Sequence, residues 1–180
     1  MSTRHPWVLP QAALLVASLV GCDPCAESTY AHTDSDLAAL SVCEIIEGDL
    51  TIGGGGELTN LDSLSALTMV NGDLDIINTT LSNLDGLSGV TSVTGSLFLR
   101  DNDALSNIDG LGSINPVGGD VHIYYNVVLT SVDGFSSLSE VGGDLLAHDN
   151  PVLCQSSVDA FVASATIGGW VNTYRNDSGC

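Results

Sequence analysis

The sequence predicts a mostly β fold, a right-handed parallel β-solenoid with a short helix capping each end. Two observations predict it. A Gly-Asp-Leu-x-Ile phrase returns at steps of 24, 23, 24, 24 and 26 residues. Between its copies, apolar residues keep one phase through two further blocks. A unit of that length cannot bury its own apolar edge, so consecutive units must stack to share a core.

The first 21 residues read as a signal peptide. Arg4 supplies a positive start, and Val8 to Val20 form an apolar run too short for a comfortable membrane span. The stretch Leu19-Val20-Gly21-Cys22 resembles the lipobox of bacterial lipoproteins. That resemblance implies cleavage before Cys22 and a diacylglycerol thioether on its sulfur. Two or three acyl chains, at about 0.8 kcal/mol per buried CH₂, would hold the chain on a membrane. The expected location is the bacterial cell envelope, with the membrane, reached through the N-terminal lipid, as the first partner.

Residues 22–180 are expected to form a single domain: an N-terminal cap over 22–47, repeats over 48–153 and a C-terminal cap over 154–180. Five Cys is an odd number for an exported chain. Lipidation of Cys22 leaves Cys25, Cys43, Cys154 and Cys180. Four thiols allow three pairings, and the local one is favoured: Cys25 with Cys43 and Cys154 with Cys180. Each bridge would then staple one end of the solenoid, contributing roughly 3 kcal/mol.

The repeats run through Gly48-Asp49-Leu50-Thr51-Ile52, Gly72-Asp73-Leu74-Asp75-Ile76, Gly95-Ser96-Leu97-Phe98-Leu99, Gly119-Asp120-Val121-His122-Ile123 and Gly143-Asp144-Leu145-Leu146-Ala147. A degenerate copy, Gly169-Trp170-Val171-Asn172-Thr173, ends the series. Alternation puts Leu50 and Ile52 inward, and Asp49, Thr51 and Gly53 outward. Asn102, Asn126 and Asn150 follow the strand at matching positions and are expected to form a buried ladder. Asp62, Asp85, Asp109 and Asp133 open a second turn, where a carboxylate can accept backbone N–H groups. A calcium ladder is the alternative reading of that column. The Gly53–Gly56 run reads as a flexible turn. Ser35 to Leu40 predicts a short helix over the first coil. Ser156 to Ser164, with Val158, Phe161 and Val162 on one face, predicts another at the far end.

These phrases, with the Leu-x-x-Leu-Asp-Gly-Leu that follows them, resemble the receptor L-domain family. The family is the leucine-rich β-helix of growth-factor receptor ectodomains. The resemblance implies the fold and carries no ligand residue onto this chain. The Leu97-x-Leu99-x-x-Asn102 pattern also fits a leucine-rich-repeat horseshoe, which is the alternative fold.

The formal charge is −19, with no Lys and with every acidic residue after Cys22. Such a chain repels phosphate, so no nucleic-acid partner is expected. No Gly-x-Ser-x-Gly or His-x-x-x-His occurs, and the described sequence offers neither a catalytic constellation nor a metal or cofactor motif. The expectation is therefore a non-catalytic binding or scaffold protein. Its candidate surface is the outward face of the first strand block: Phe98, Arg100, His122, Tyr124, His148, Trp170 and Tyr174. Exposed aromatics and Arg gathered on one face suit contact with a protein or glycan. Outward β positions also favour aromatics for sheet packing alone, so the same columns fit a purely structural spacer. A polysaccharide-cleaving β-helix is the remaining alternative.

Overall fold

A computed structural model describes residues 23–180. The signal peptide and the Cys22 lipidation site lie outside the described residues. Among them, seven strands form one parallel sheet: Thr29–Thr33, Leu50–Glu57, Leu74–Ile77, Leu97–Arg100, Val121–Tyr124, Leu145–His148 and Val171–Tyr174. Each copy of the glycine phrase supplies one strand. The register runs Leu50, Leu74, Leu97, Val121, Leu145, Val171 across the sheet. The solenoid reading therefore holds, with each coil paired to the next in phase.

A second, shorter parallel ladder closes another side of the coil. It runs from Ile45–Ile46 through Met69–Val70 and Ser92–Val93. Bridges at Val93, Val117 and Val141 carry it to Thr166–Ile167. The third side is made of single 3-10 turns at Asp62–Leu64, Asp85–Leu87 and Asp109–Leu111. Leu, Val and Ile from all three sides meet in one core. Leu74, Ile76, Leu84, Leu87, Val90 and Val93 of a single coil are fully buried. Each such side chain contributes roughly 1.5–3 kcal/mol relative to exposure.

The side-chain ladder predicted from Asn102, Asn126 and Asn150 is present, and it is longer than predicted. Each Asn Nδ2 donates to a strand carbonyl of the coil before, at Ile76, Leu99 and Ile123. Each Asn Oδ1 accepts the backbone N–H of the previous rung. Thr79 is the first rung, and Asn176 the last, where Gln155 Oε1 accepts its amide.

Several expectations need correction. The sheet begins one strand earlier than the glycine phrase. Thr29–Thr33 lacks that phrase but alternates, burying Ala31 and turning Tyr30 and His32 outward. The Gly53–Gly56 run is not a turn. It continues the strand, with Gly53 to Gly55 at positive φ, and a side chain on Gly54 would strike the His32 ring. The Asp62 column does not cap its turns. The acceptors sit two residues earlier, where Asn60, Asn83, Asn107 and Ser131 take the Asp N–H groups. The Asp carboxylates themselves are exposed. An Asx-type turn reaches that N–H from position i, which a residue at i+2 cannot do for itself.

The N-terminal helix, Asp34–Ala39, carries a capping box between Thr33 and Asp36. The C-terminal helix, Gln155–Ser164, lies beside the last turn rather than over the end of the coil stack. Phe161 packs on Phe135 with ring centroids 5.3 Å apart. Val171, in register with the fully buried Leu145, stays 45% exposed. Disulfides join Cys25 to Cys43 and Cys154 to Cys180, with Cα atoms 5.6 and 5.7 Å apart. Both local bridges suit an exported protein. No helix among the described residues is long and apolar enough to cross a membrane.

Candidate functional site

The outward face of the main sheet presents three columns. The first is structural. Asp49, Asp73, Ser96, Asp120 and Asp144 each accept the backbone N–H one coil on, at 2.7–3.0 Å. Trp170 closes this column as a donor through its backbone. Its side chain, 83% exposed, stands apart from the other rings of the face.

The second column reads Tyr30, Thr51, Asp75, Phe98, His122, Leu146, Asn172. Phe98 meets His122 edge to face at 4.9 Å. Burial holds the His122 imidazole below the ordinary histidine value, against the pull of Asp120 and Asp144. It is a neutral ring at neutral pH.

The third column brings Arg100, Tyr124, His148 and Tyr174 into register. Tyr124 stacks on His148 at 5.3 Å, and His148 on Tyr174 at 4.8 Å, both nearly parallel. The Arg175 guanidinium lies 5.5 Å from the Tyr174 ring centre. Asp149 ties the stack's edge together. It accepts from His148 Nδ1 at 2.9 Å and from Arg175 at 3.2 Å. Desolvation acts to raise the Asp149 carboxyl, and those two hydrogen bonds outweigh it, leaving it below the ordinary carboxylate value.

The face thus unites six of the seven predicted residues and leaves Trp170 at its margin. It also contains Tyr30, His32 and Tyr125, which the repeat pattern did not assign to it. Tyr30 stacks with His32 at 5.8 Å. Tyr125 meets the Tyr124 and His148 rings edge to face. The signal for Tyr125 was in its column. Asn78, Asp101, Asp149 and Arg175 hold the same place, all at φ between 51° and 57°, and Tyr125 sits there at 58°. Short polar side chains suit that left-handed conformation, and a tyrosine does not. Tyr125→Asn is therefore expected to stabilise the fold by roughly 0.5–1 kcal/mol, while removing a ring from the face. A melting curve about 2 °C higher would show it, and an unchanged or lower one would refute it.

Two clefts open beside the rings and share Asp75, Ile77 and Arg100. One, of about 250 Å³, is completed by Phe98 and Tyr124. The other, of about 260 Å³, adds Tyr30, His32, Thr51, Gly53 and Gly54. Asp75 Oδ2 accepts weakly from Thr51 at 3.5 Å, and Oδ1 is buried with no partner. Burial, and then the Asp73 and Asp49 charges, push this carboxyl above the usual carboxylate range despite Arg100. Nothing here pairs a nucleophile with a base. What the face offers is flat rings, one cation and an unsatisfied acceptor.

Comparison with known families gives one match: the family model described as receptor L domain covers residues 42–159. That span includes Asp75, Phe98, Arg100, His122, Tyr124 and His148 and stops before Trp170 and Tyr174. No curated protein matches the chain.

Proposed function

From the premise that the chain belongs to the receptor L domain family, we propose that it is a non-catalytic binding module of the bacterial cell envelope. The main-sheet face is its contact surface, for a protein or a glycan. The observation that carries this reading is the ring stack Tyr124–His148–Tyr174 with Arg175 at its end. A sheet face that only shields itself needs no such alignment of partly exposed rings. Rigid aromatic rings and Arg are the residues that dominate binding surfaces elsewhere. On this reading the coils are right-handed, as nearly all parallel crossovers are. Cys22 carries the lipid, and Cys25 follows closely enough to keep the domain near the membrane.

The triple variant Phe98→Ala, Tyr124→Ala, Tyr174→Ala should lose co-purified partners or glycan-array signal while keeping its melting temperature within a few degrees. Unchanged binding would remove the surface from consideration. Rescue of a deletion phenotype by that variant would favour a structural spacer instead. Cys22→Ala should release the protein from membranes, and failure of palmitate labelling in the wild type would end the anchor reading.

A further inference from the structure

We propose that the paired clefts around Asp75 and Arg100 are a subsite for one or two rings of an uncharged saccharide. The inference rests on the reading of the main-sheet face as a binding surface and names what it would take there.

Asp75 Oδ1 is the only buried side-chain oxygen or nitrogen without a hydrogen-bond partner among the described residues. An orphaned acceptor of this kind costs roughly 1–3 kcal/mol, so a ligand that supplies a donor recovers that loss. A sugar hydroxyl is such a donor. Arg100 lines both clefts and makes no ion pair among the described residues. Its guanidinium fork can donate to the same ligand's ring or hydroxyl oxygens. A vicinal pair of hydroxyls on one ring satisfies both groups at once, since each hydroxyl both donates and accepts.

The walls suit the rest of such a ring. Phe98 and Tyr124 bound one cleft, Tyr30 and His32 the other, and Ile77 belongs to both. The C–H faces of a pyranose pack on aromatic faces, whose quadrupole is negative. Each cleft falls below the roughly 300–1,000 Å³ of pockets that hold drug-sized ligands, which suits one ring apiece. The glycines matter here. A side chain on Gly54 would displace the His32 ring that walls the second cleft.

Charge chooses among candidate ligands. Asp49 and Asp73 flank Asp75, and the whole chain stands at −19, so uronates, sulfates and phosphates are repelled. A basic peptide would satisfy Asp75 but would set its cation beside Arg100. A neutral polyhydroxyl ligand uses both groups and opposes neither. Burial of the Asp75 carboxyl acts in the same direction, because a half-buried carboxylate gains more from a hydroxyl donor than an exposed one does.

The test titrates the full chain in detergent with neutral hexose and N-acetylhexosamine oligomers of two to six units. Uronic acid oligomers of equal length and oligolysine serve as the other arms. Neutral oligomers should bind at least tenfold more tightly than uronates. Asp75→Asn and Arg100→Gln should each weaken that binding about tenfold, the worth of one charge-assisted hydrogen bond. Asp75→Asn also reports on its own folding. Loss of a carboxylate that burial penalises should leave its melting temperature at or above wild type at pH 7. Because the folded value is raised, that gap should close as pH falls through it and vanish below the unfolded value near ~3.9. Absence of neutral-oligomer binding, equal uronate binding, or oligolysine binding that alone depends on Asp75 would each overturn the saccharide assignment. If the sugars fail while the triple aromatic variant still loses a protein partner, the binding-face reading survives and only the ligand class falls. If neither responds, both fall.

Discussion

Asn126→Leu should lower stability by roughly 3–5 kcal/mol, although leucine matches asparagine closely in size. Asn126 is wholly buried in the middle of the side-chain ladder. Its Oδ1 accepts from the Asn102 backbone N–H at 3.3 Å and from Asn102 Nδ2 at 3.2 Å. Its Nδ2 donates to the Leu99 carbonyl at 2.9 Å, to Tyr124 O at 3.2 Å and to Asn150 Oδ1 at 3.2 Å. Leucine removes both halves together. The Asn102 N–H and the Leu99 carbonyl then lose the partner that Asn126 gives them, with no water able to replace it. Two orphaned buried groups at about 1–3 kcal/mol each, with the lost amide–amide contact, account for the range. Thermal melting should fall by roughly 10 °C or more. Asn176→Leu, on the half-buried last rung, should cost distinctly less. Equal and small losses at both positions would show that the ladder is ornamental to the fold.

Gly110→Ser should be nearly as damaging, for a different reason. In the turns Asp85–Leu87 and Asp109–Leu111, the middle residue packs directly on the coil before. A Cβ on Gly110 would land on the Leu84 carbonyl, and on Gly86 or Gly134 it would meet Leu61 or Ile108 in the same way. These are backbone atoms held by the parallel ladders on either side, so neither can retreat. Overpacking of this sort costs roughly 1–3 kcal/mol, and more where backbone must move. The first coil is the informative contrast. It carries Ser63 at the matching place, half-buried, where no earlier coil of this kind lies beneath it. Ser63→Gly should therefore change stability by less than about 1 kcal/mol, while Gly110→Ser costs roughly 3 kcal/mol or more. Parallel melting curves of the two variants decide the matter. A similar small effect for both would mean that the coils are free to spread.

The regular part of this fold was legible because its period is nearly constant. Steps of 23 and 24 residues carried Leu74, Leu97, Val121 and Leu145 into register, and with them the outward columns and the buried asparagines. What stayed hidden departs from the period. Thr29–Thr33 joins the sheet through alternation over only five residues, without the glycine phrase, so Tyr30 and His32 looked unattached. The acidic column drew attention as a turn cap, whereas Asn60, Asn83 and Asn107 hold the acceptor position. The orphaned Asp75 Oδ1 could not be read at all. Its sibling places hold Thr51, Phe98 and His122, and only three-dimensional packing decides which of its two oxygens is left without a donor.

The asparagine ladder also has a head and a tail. Its first rung, Thr79, only donates to Asn102, and its last, Asn176, is received by Gln155 of the C-terminal helix. Between them every rung is chemically the same unit, asparagine meeting asparagine. A whole coil could be duplicated or deleted between Asn102 and Asn150 and leave every joint in the row correctly mated. No such exchange is open at Thr79 or Asn176, because neither has a like neighbour on its outer side. The molecule is in this sense a cassette held between two dissimilar terminals. Its length is free to change in its lineage by steps of one coil, while the two ends that define where it starts and stops must be inherited intact.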